Sequence, residues 1–160
     1  NKEIGGASLS QSDLAYGNML LCCDGHEGQS RTTCDVRKQD KDICANFHNP
    51  KHQQTATLVR VRSDGTILPR YFPGSEAAAE RVITDVLRLN DERLADTRST
   101  IYTAGLREAA KRLAAGGGKV PRATLRRQLA DALERRAEVE PYPSTLISLA
   151  EDIRSGKRHP

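Results

Sequence analysis

Long apolar runs are missing from this chain. No stretch approaches the roughly 18 consecutive apolar residues of a membrane span, and no apolar segment near the start has the form of a secretory signal. These absences point to a soluble, cytoplasmic protein with no membrane partner. Aromatic residues are scarce, with two Phe and four Tyr, too few for the stacking platforms that grip single-stranded nucleic acid. There is no internal repeat, and no low-complexity segment beyond Gly116-Gly117-Gly118. Histidine is absent from Asn1 to Gly17, which bears on the chemistry below. The first residue is Asn rather than Met, so the chain is expected to be the later part of a longer product.

What is present fits one domain of ordinary size with a modest core, since the chain has 160 residues. The net charge is +4 and the isoelectric point is near 9.0. This basic bias is compatible with a nucleic-acid partner, but affinity depends on where the charge sits rather than on its total.

All four cysteines, Cys22, Cys23, Cys34 and Cys44, fall in a 23-residue window with His26, His48 and His52 nearby. Secreted disulfide scaffolds are usually shorter and richer in cysteine, whereas clustered Cys and His in an intracellular chain point to a metal. Zinc takes four thiolate or imidazole ligands in a tetrahedron. Cys23 and Cys34, joined by the ten-residue loop DGHEGQSRTT, are the first candidate pair. Cys44 and His48 could complete the tetrahedron, or the second pair lies upstream of Asn1. Cys22, beside Leu20 and Leu21, reads as a small core residue, and His26 and His52 as surface residues.

The expected fold class is α+β, with a polar, cysteine-bearing region over residues 1–74 and a helical region over 75–160. Residues 1–15 read as an entering loop and Tyr16 to Cys23 as a short extended segment. Asp24 to His52 shows no periodicity and needs a metal or a neighbour to order it. Between Thr55 and Phe72, Val59 and Val61 alternate with Arg60 and Arg62, and Ser63-Asp64-Gly65 supplies a tight turn, which predicts a hairpin.

The spacing of Ala79, Val82, Ile83, Val86 and Leu87 predicts a helix from Glu76 to about Leu89, capped by Ser75. A second runs from about Asp91 to Ala115 and ends at the glycines. A third opens with Pro121 and runs through Arg136. A last, short helix follows Ser144 as its cap. On the third helix Arg122, Arg126, Arg127, Arg135 and Arg136 partly share a face, with Lys119 just before it. Such a face can neutralise phosphates, although a stripe of this kind also serves as an ordinary solvated surface. Arg60, Arg62 and Arg70 on the hairpin are a second basic group.

The stretch YGNMLLCCDGHEGQSRTTCDVRKQDKD has an Asn before an apolar run, a Cys, a polar loop, and then Cys-x-x-x-Lys. It resembles the second half of an HNH, or ββα-metal, endonuclease motif, of the type found in retron and Septu antiphage operons beside an ABC- or SMC-like ATPase. The DGTILP turn of the hairpin and VLRLNDERLADTR, with Leu87, Leu89, Asn90, Leu94 and Arg98, extend the likeness over Tyr16 to Arg98. The resemblance implies that Asn18 holds the geometry of a catalytic His, and that Asp35 helps bind a divalent Mg²⁺ or Mn²⁺. It further implies that Lys38 contacts phosphate and that Cys23 and Cys34 belong to a structural Zn²⁺ site. The pattern departs in one respect: the catalytic His would precede Asn18, and no His stands there. It is supplied from upstream of Asn1, with two further zinc cysteines, or it is lost. Without the resemblance, Asn18 reads equally well as a turn cap, and Asp35 and Lys38 as solvated loop charges.

The expected function is that of a metal-dependent HNH endonuclease subunit of an antiphage defence system, hydrolysing DNA under the control of an ATPase partner. The alternative is a zinc-stabilised, non-catalytic interaction module that docks on a larger assembly.

Overall fold

The computed structural model describes residues 3–4, 7–8, 32–41, 56–70, 75–116 and 120–156. It is α+β, with two antiparallel two-stranded ladders and a larger helical content. Strand β1 (Glu3–Ile4) pairs with β2 (Ala7–Ser8), Glu3 opposite Ser8, inside the stretch read from sequence as a loop. Helix α1 (Cys34–Lys38) is a short helix where no periodicity predicts one. It is ordered by a neighbour distant in sequence: Thr33 is fully buried, and the Cys34 amide donates to the Leu87 carbonyl at 2.8 Å.

Strands β3 (Val59–Val61) and β4 (Ile67–Pro69) form the expected hairpin, with Val61 opposite Ile67 and Val59 opposite Pro69. The Gly65 amide donates to the Arg62 carbonyl at 2.9 Å, and the Arg62 amide to the Thr66 carbonyl at 2.9 Å. This is a three-residue loop ending in a left-handed residue, at which Gly65 has φ +81°. Asp64 stiffens the loop by accepting from both the amide and the hydroxyl of Thr66, at 2.9 and 2.7 Å. Antiparallel ladders alternate bonded and non-bonded pairs, so the bonds at Arg62/Thr66 and between the Arg70 amide and Leu58 carbonyl put Val59/Pro69 in a non-bonded pair. Pro69, which has no amide hydrogen, sits where the ladder asks for none.

Helix α2 (Glu76–Arg81) starts after Ser75, whose carbonyl, not its side chain, accepts from Ala78 and Ala79 at 3.0 and 3.1 Å. It runs directly into a π-helical turn, Val82–Val86, closed by the Leu87 amide on the Val82 carbonyl at 2.9 Å. The apolar face survives, with Ala79, Ile83 and Val86 buried, but the widened turn ends the regular helix earlier than the periodicity predicts. Asp91 then caps α3 (Glu92–Ala115), accepting from the Arg93 amide at 3.3 Å.

Helix α4 (Arg122–Ala137) follows with Pro121 as its cap rather than its first residue. Helix α5 (Pro143–Ser155) follows a left-handed Tyr142 and has Pro143 at its start. Ser144 is therefore inside the helix, and the first free helical amides find the Tyr142 carbonyl, the Thr145 amide at 2.9 Å. Tyr102 and Ala109 of α3, Ala130 and Leu133 of α4, and Leu146, Leu149, Ala150 and Ile153 of α5 form the core. No helix among the described residues is long and apolar enough to cross a membrane.

The hairpin turn rests directly on α3, because a Cβ added at Gly65 would come within 1.8 Å of the Ala95 carbonyl oxygen. A side chain there would also have to adopt the left-handed conformation, at about 1–3 kcal/mol. Gly65→Ala is expected to lower stability by at least that much in urea unfolding monitored by circular dichroism. An unchanged midpoint would show that the turn can lift from α3 without loss.

Candidate functional site

Of the stretch that carries the resemblance, Tyr16 to Arg98, the described residues include three blocks, Cys34 to Lys38, the DGTILP hairpin, and Leu87 to Arg98, and hydrogen bonds join these three. The Cys34 amide on the Leu87 carbonyl ties α1 to the exit of the π-turn. Asn90 lies along the outer edge of β4: its Oδ1 accepts from the Ile67 amide at 2.7 Å and its Nδ2 donates to the Ile67 carbonyl at 3.0 Å. Because Ile67 is in a non-bonded pair with Val61, both groups point away from β3, and one primary amide replaces the missing next strand.

Arg98, 5% exposed, donates Nε to the Gly65 carbonyl and Nη2 to the Leu89 carbonyl, both at 2.6 Å. Burial holds its guanidinium below the ordinary arginine value, yet it remains a cation. Ser99 Oγ adds a bond to the Ser63 carbonyl at 2.8 Å.

Asp91 sits within the same segment. Its burial pushes the carboxyl up, but hydrogen bonds from the Arg93 side chain and backbone, together with the charges of Arg93 and Arg88, outweigh this and leave it below its ordinary value of 3.8. Oδ1 meets Arg93 Nε at 3.3 Å and Oδ2 stands 3.6 Å from Arg88 Nη2.

The individual site candidates are distributed as follows. Cys34 is half-buried at the head of α1, in a left-handed conformation with φ +52°. Asp35 is the second residue of the helix and Lys38 its last. Lys38 is half-buried, and its Nζ donates to the Gln39 carbonyl at 3.1 Å. Asn18, Cys23, Cys44, His48 and Lys119 lie outside the described residues. Among the described residues no group of three or more His, Cys, Asp or Glu is placed to hold a metal ion. On α4, Arg122 and Arg127 are exposed, while Arg126 is half-buried beside Gly156. Arg136 is bound to Glu140 at 2.7 and 2.8 Å.

A second polar cluster takes up Arg60 and Arg70 of the basic group on the hairpin and pairs them with carboxylates of α5. An open cleft of about 840 Å³ is lined by Arg60, Arg70, Glu151, Asp152, Arg154 and Ser155. Arg60 bonds Glu151 at 2.5 Å and also Asp152, and Arg70 bonds Glu151 at 2.5 Å. Arg154 reaches across to Glu134 at 2.8 Å and Asp131 at 3.0 Å on α4. Tyr102 donates its hydroxyl to Asp152, and burial first, then that bond, raise the phenol well above its usual range so that it stays protonated. The Val61 amide donates to Ser148 Oγ at 2.9 Å, closing the outer edge of β3 as Asn90 closes that of β4. All three guanidiniums of the cleft are compensated by carboxylates, so the cluster serves to fasten the hairpin to α5 and α5 to α4. These bonds cross the boundary near residue 74.

Neither a family model, a curated protein nor a solved structure matches this chain.

Two measurements probe this unit. Asn90→Ala strands the Ile67 amide and carbonyl and is expected to cost about 1–3 kcal/mol in urea unfolding; no loss would mean that water replaces the amide at that edge. Asp91→Asn keeps the capping oxygen and removes the charge. A carboxyl with a depressed folded pKa contributes stability above its unfolded value, and that contribution disappears as pH falls through the folded value. The parent's advantage over Asp91→Asn should thus be present near about pH 6 and shrink on titration below 3.8; an advantage independent of pH would remove the charge as its source.

Proposed function

We propose that the chain is the second half of an HNH-type endonuclease subunit acting in antiphage defence, hydrolysing DNA phosphodiesters under the control of an ABC- or SMC-like ATPase. The observation that supports this most is the joining of the three resemblance blocks into one unit. Cys34 is held by Leu87, and the LRLN segment is held to the hairpin turn through Asn90 and Arg98. A helix beginning at Cys34, with Asp35 in its first turn, is the element order that a ββα-metal motif requires at that point.

In this reading Cys34 and Cys23 would hold a structural Zn²⁺, with Cys44 and His48 or residues outside this sequence as the further ligands. Thiolate and imidazole donors suit that ion, and the Asp35 carboxylate suits Mg²⁺ or Mn²⁺. The divalent ion, when bound, stabilises charge that builds on the phosphate oxygens. Asn18 would hold the geometry of a general-base His that takes a proton from water, a His that does not stand between Asn1 and Asn18. Lys38, whose ammonium rests on the exposed Gln39 carbonyl, exchanges that bond for a phosphate oxygen of the substrate.

The full-length protein, supplied with Mn²⁺ or Mg²⁺, is expected to nick supercoiled plasmid, and Asn18→Ala and Asp35→Ala each to lose most of that activity. Full activity in both variants would exclude these residues from the site. A protein that carries about one zinc per chain, loses its fold when the zinc is chelated and never cuts would instead be the zinc-stabilised interaction module.

A further inference from the structure

At one end of the helical region three helix termini converge. A Cβ at Gly116, just after α3, would lie 2.6 Å from Leu125 Cδ1 in the first turn of α4, and one at Gly156, just after α5, would lie 2.4 Å from Arg126 Nη1. The C-terminal ends of α3 and α5 therefore both abut the N-terminal turns of α4. On α3 and α4 the charge there has one sign, and the acids near the end of α5, Glu151 and Asp152, are paired with Arg60 and Arg70. From Ala109 to Ala130 the chain carries six Lys or Arg and no Asp or Glu.

Lys111, Arg122 and Arg127 are exposed and Arg126 is half-buried. Arg112 is bound to Glu108 at 2.6 Å, which removes that carboxylate from the balance. Toward the other end of α4 acids outnumber bases, with Asp131, Glu134, Glu138 and Glu140; of the arginines near them, Arg136 and Arg154 are paired with these carboxylates and Arg135 is exposed. Helix α4 thus separates a basic pole from an acidic one.

We infer that this basic pole, built from Lys111 of α3 and Arg122, Arg126 and Arg127 of α4, docks the phosphate backbone of duplex DNA. Cations on two packed helices present a surface to a polyanion that runs past both, and no carboxylate of the pole is left to repel it. The pole has no aromatic side chain on which to stack an unpaired base, so a duplex fits it better than a single strand. A protein partner would look for apolar anchors, and the exposed large apolar residue described beside the pole is Val120. Contacts of this kind position a duplex without reading its sequence. The inference stands on the charge distribution and does not require the catalytic reading above.

The test is binding of a short fluorescent duplex DNA to the full-length protein without added divalent metal, followed by anisotropy over a series of KCl concentrations. Each phosphate neutralised contributes about 0.9 to the slope of log K against log salt. The combined variant Lys111→Ala, Arg122→Ala and Arg127→Ala, checked for its helical content by circular dichroism, is expected to bind more weakly at every salt concentration, with a slope shallower by about 2.7. Arg135→Ala, an exposed arginine toward the acidic end, should bind as the parent does. Parent-like binding by the triple variant, or an equal loss in Arg135→Ala, would overturn the inference. So would tight binding of the matching duplex RNA with none of DNA. Duplex binding without any nicking would uphold the pole and count against the catalytic reading, whereas nicking that the triple variant leaves intact, with its binding slope unchanged, would do the reverse.

Discussion

A guanidinium removed from water has to recover its hydrogen bonds from the protein, and Arg98 recovers two of them from carbonyls in different parts of the chain. Gly65 belongs to the hairpin turn and Leu89 to the residues leaving the π-turn. A buried cation that loses either partner pays a desolvation penalty with no return, so the two carbonyls and the helix that carries Arg98 are held in one arrangement. The turn lies close on α3 because Gly65 has no side chain to hold it off, and the Leu87 carbonyl accepts from the Cys34 amide.

A two-stranded hairpin has two open edges and little stability of its own. Among the described residues each edge is met by a side chain rather than by another strand. Asn90 meets both backbone groups of Ile67, and Ser148 meets the amide of Val61. The first comes from the segment between α2 and α3 and the second from α5, so the hairpin acts as a bridge between the α1 region and the helical core. The ion pairs of Arg60 and Arg70 with Glu151 and Asp152 sit on the same bridge. Half-exposed pairs of this sort add modest energy, and their larger effect is geometric, since they define where β3 lies on α5.

The same bookkeeping of charge separates structural arginines from those left for a partner. Arg60, Arg98, Arg136 and Arg154 each have protein acceptors. Arg122 and Arg127 are exposed in the first half of α4, where the sequence supplies no acid before Asp131. The resemblance to a nuclease and the basic pole thus occupy different parts of the chain: α1 and its anchors on one side, and the meeting point of α3, α4 and α5 on the other.

Much of this was legible in the order of residues. Alternation at Val59 to Arg62 with Ser63-Asp64-Gly65 locates the hairpin, and Asp91 and the glycines after Ala115 bracket α3, because caps and turns depend on a few neighbouring residues and their φ/ψ preferences. Local pattern was insufficient for the π-turn, for the short helix at Cys34 and for the start of α5, where Tyr142 takes the capping position and Ser144 does not. In those places the hydrogen-bond partner lies far along the chain or the backbone yields to packing. The roles of Asn90, Arg98 and Asp152 were out of reach for the same reason: Arg60 and Asp152 are separated by 92 residues, and an arginine in a sequence does not disclose whether it will meet a carbonyl, a carboxylate or water. Composition and local spacing determined which segments turn and coil; only the tertiary structure decided which charges are consumed inside the protein and which remain at its surface, because that depends on burial and on partners brought together by folding.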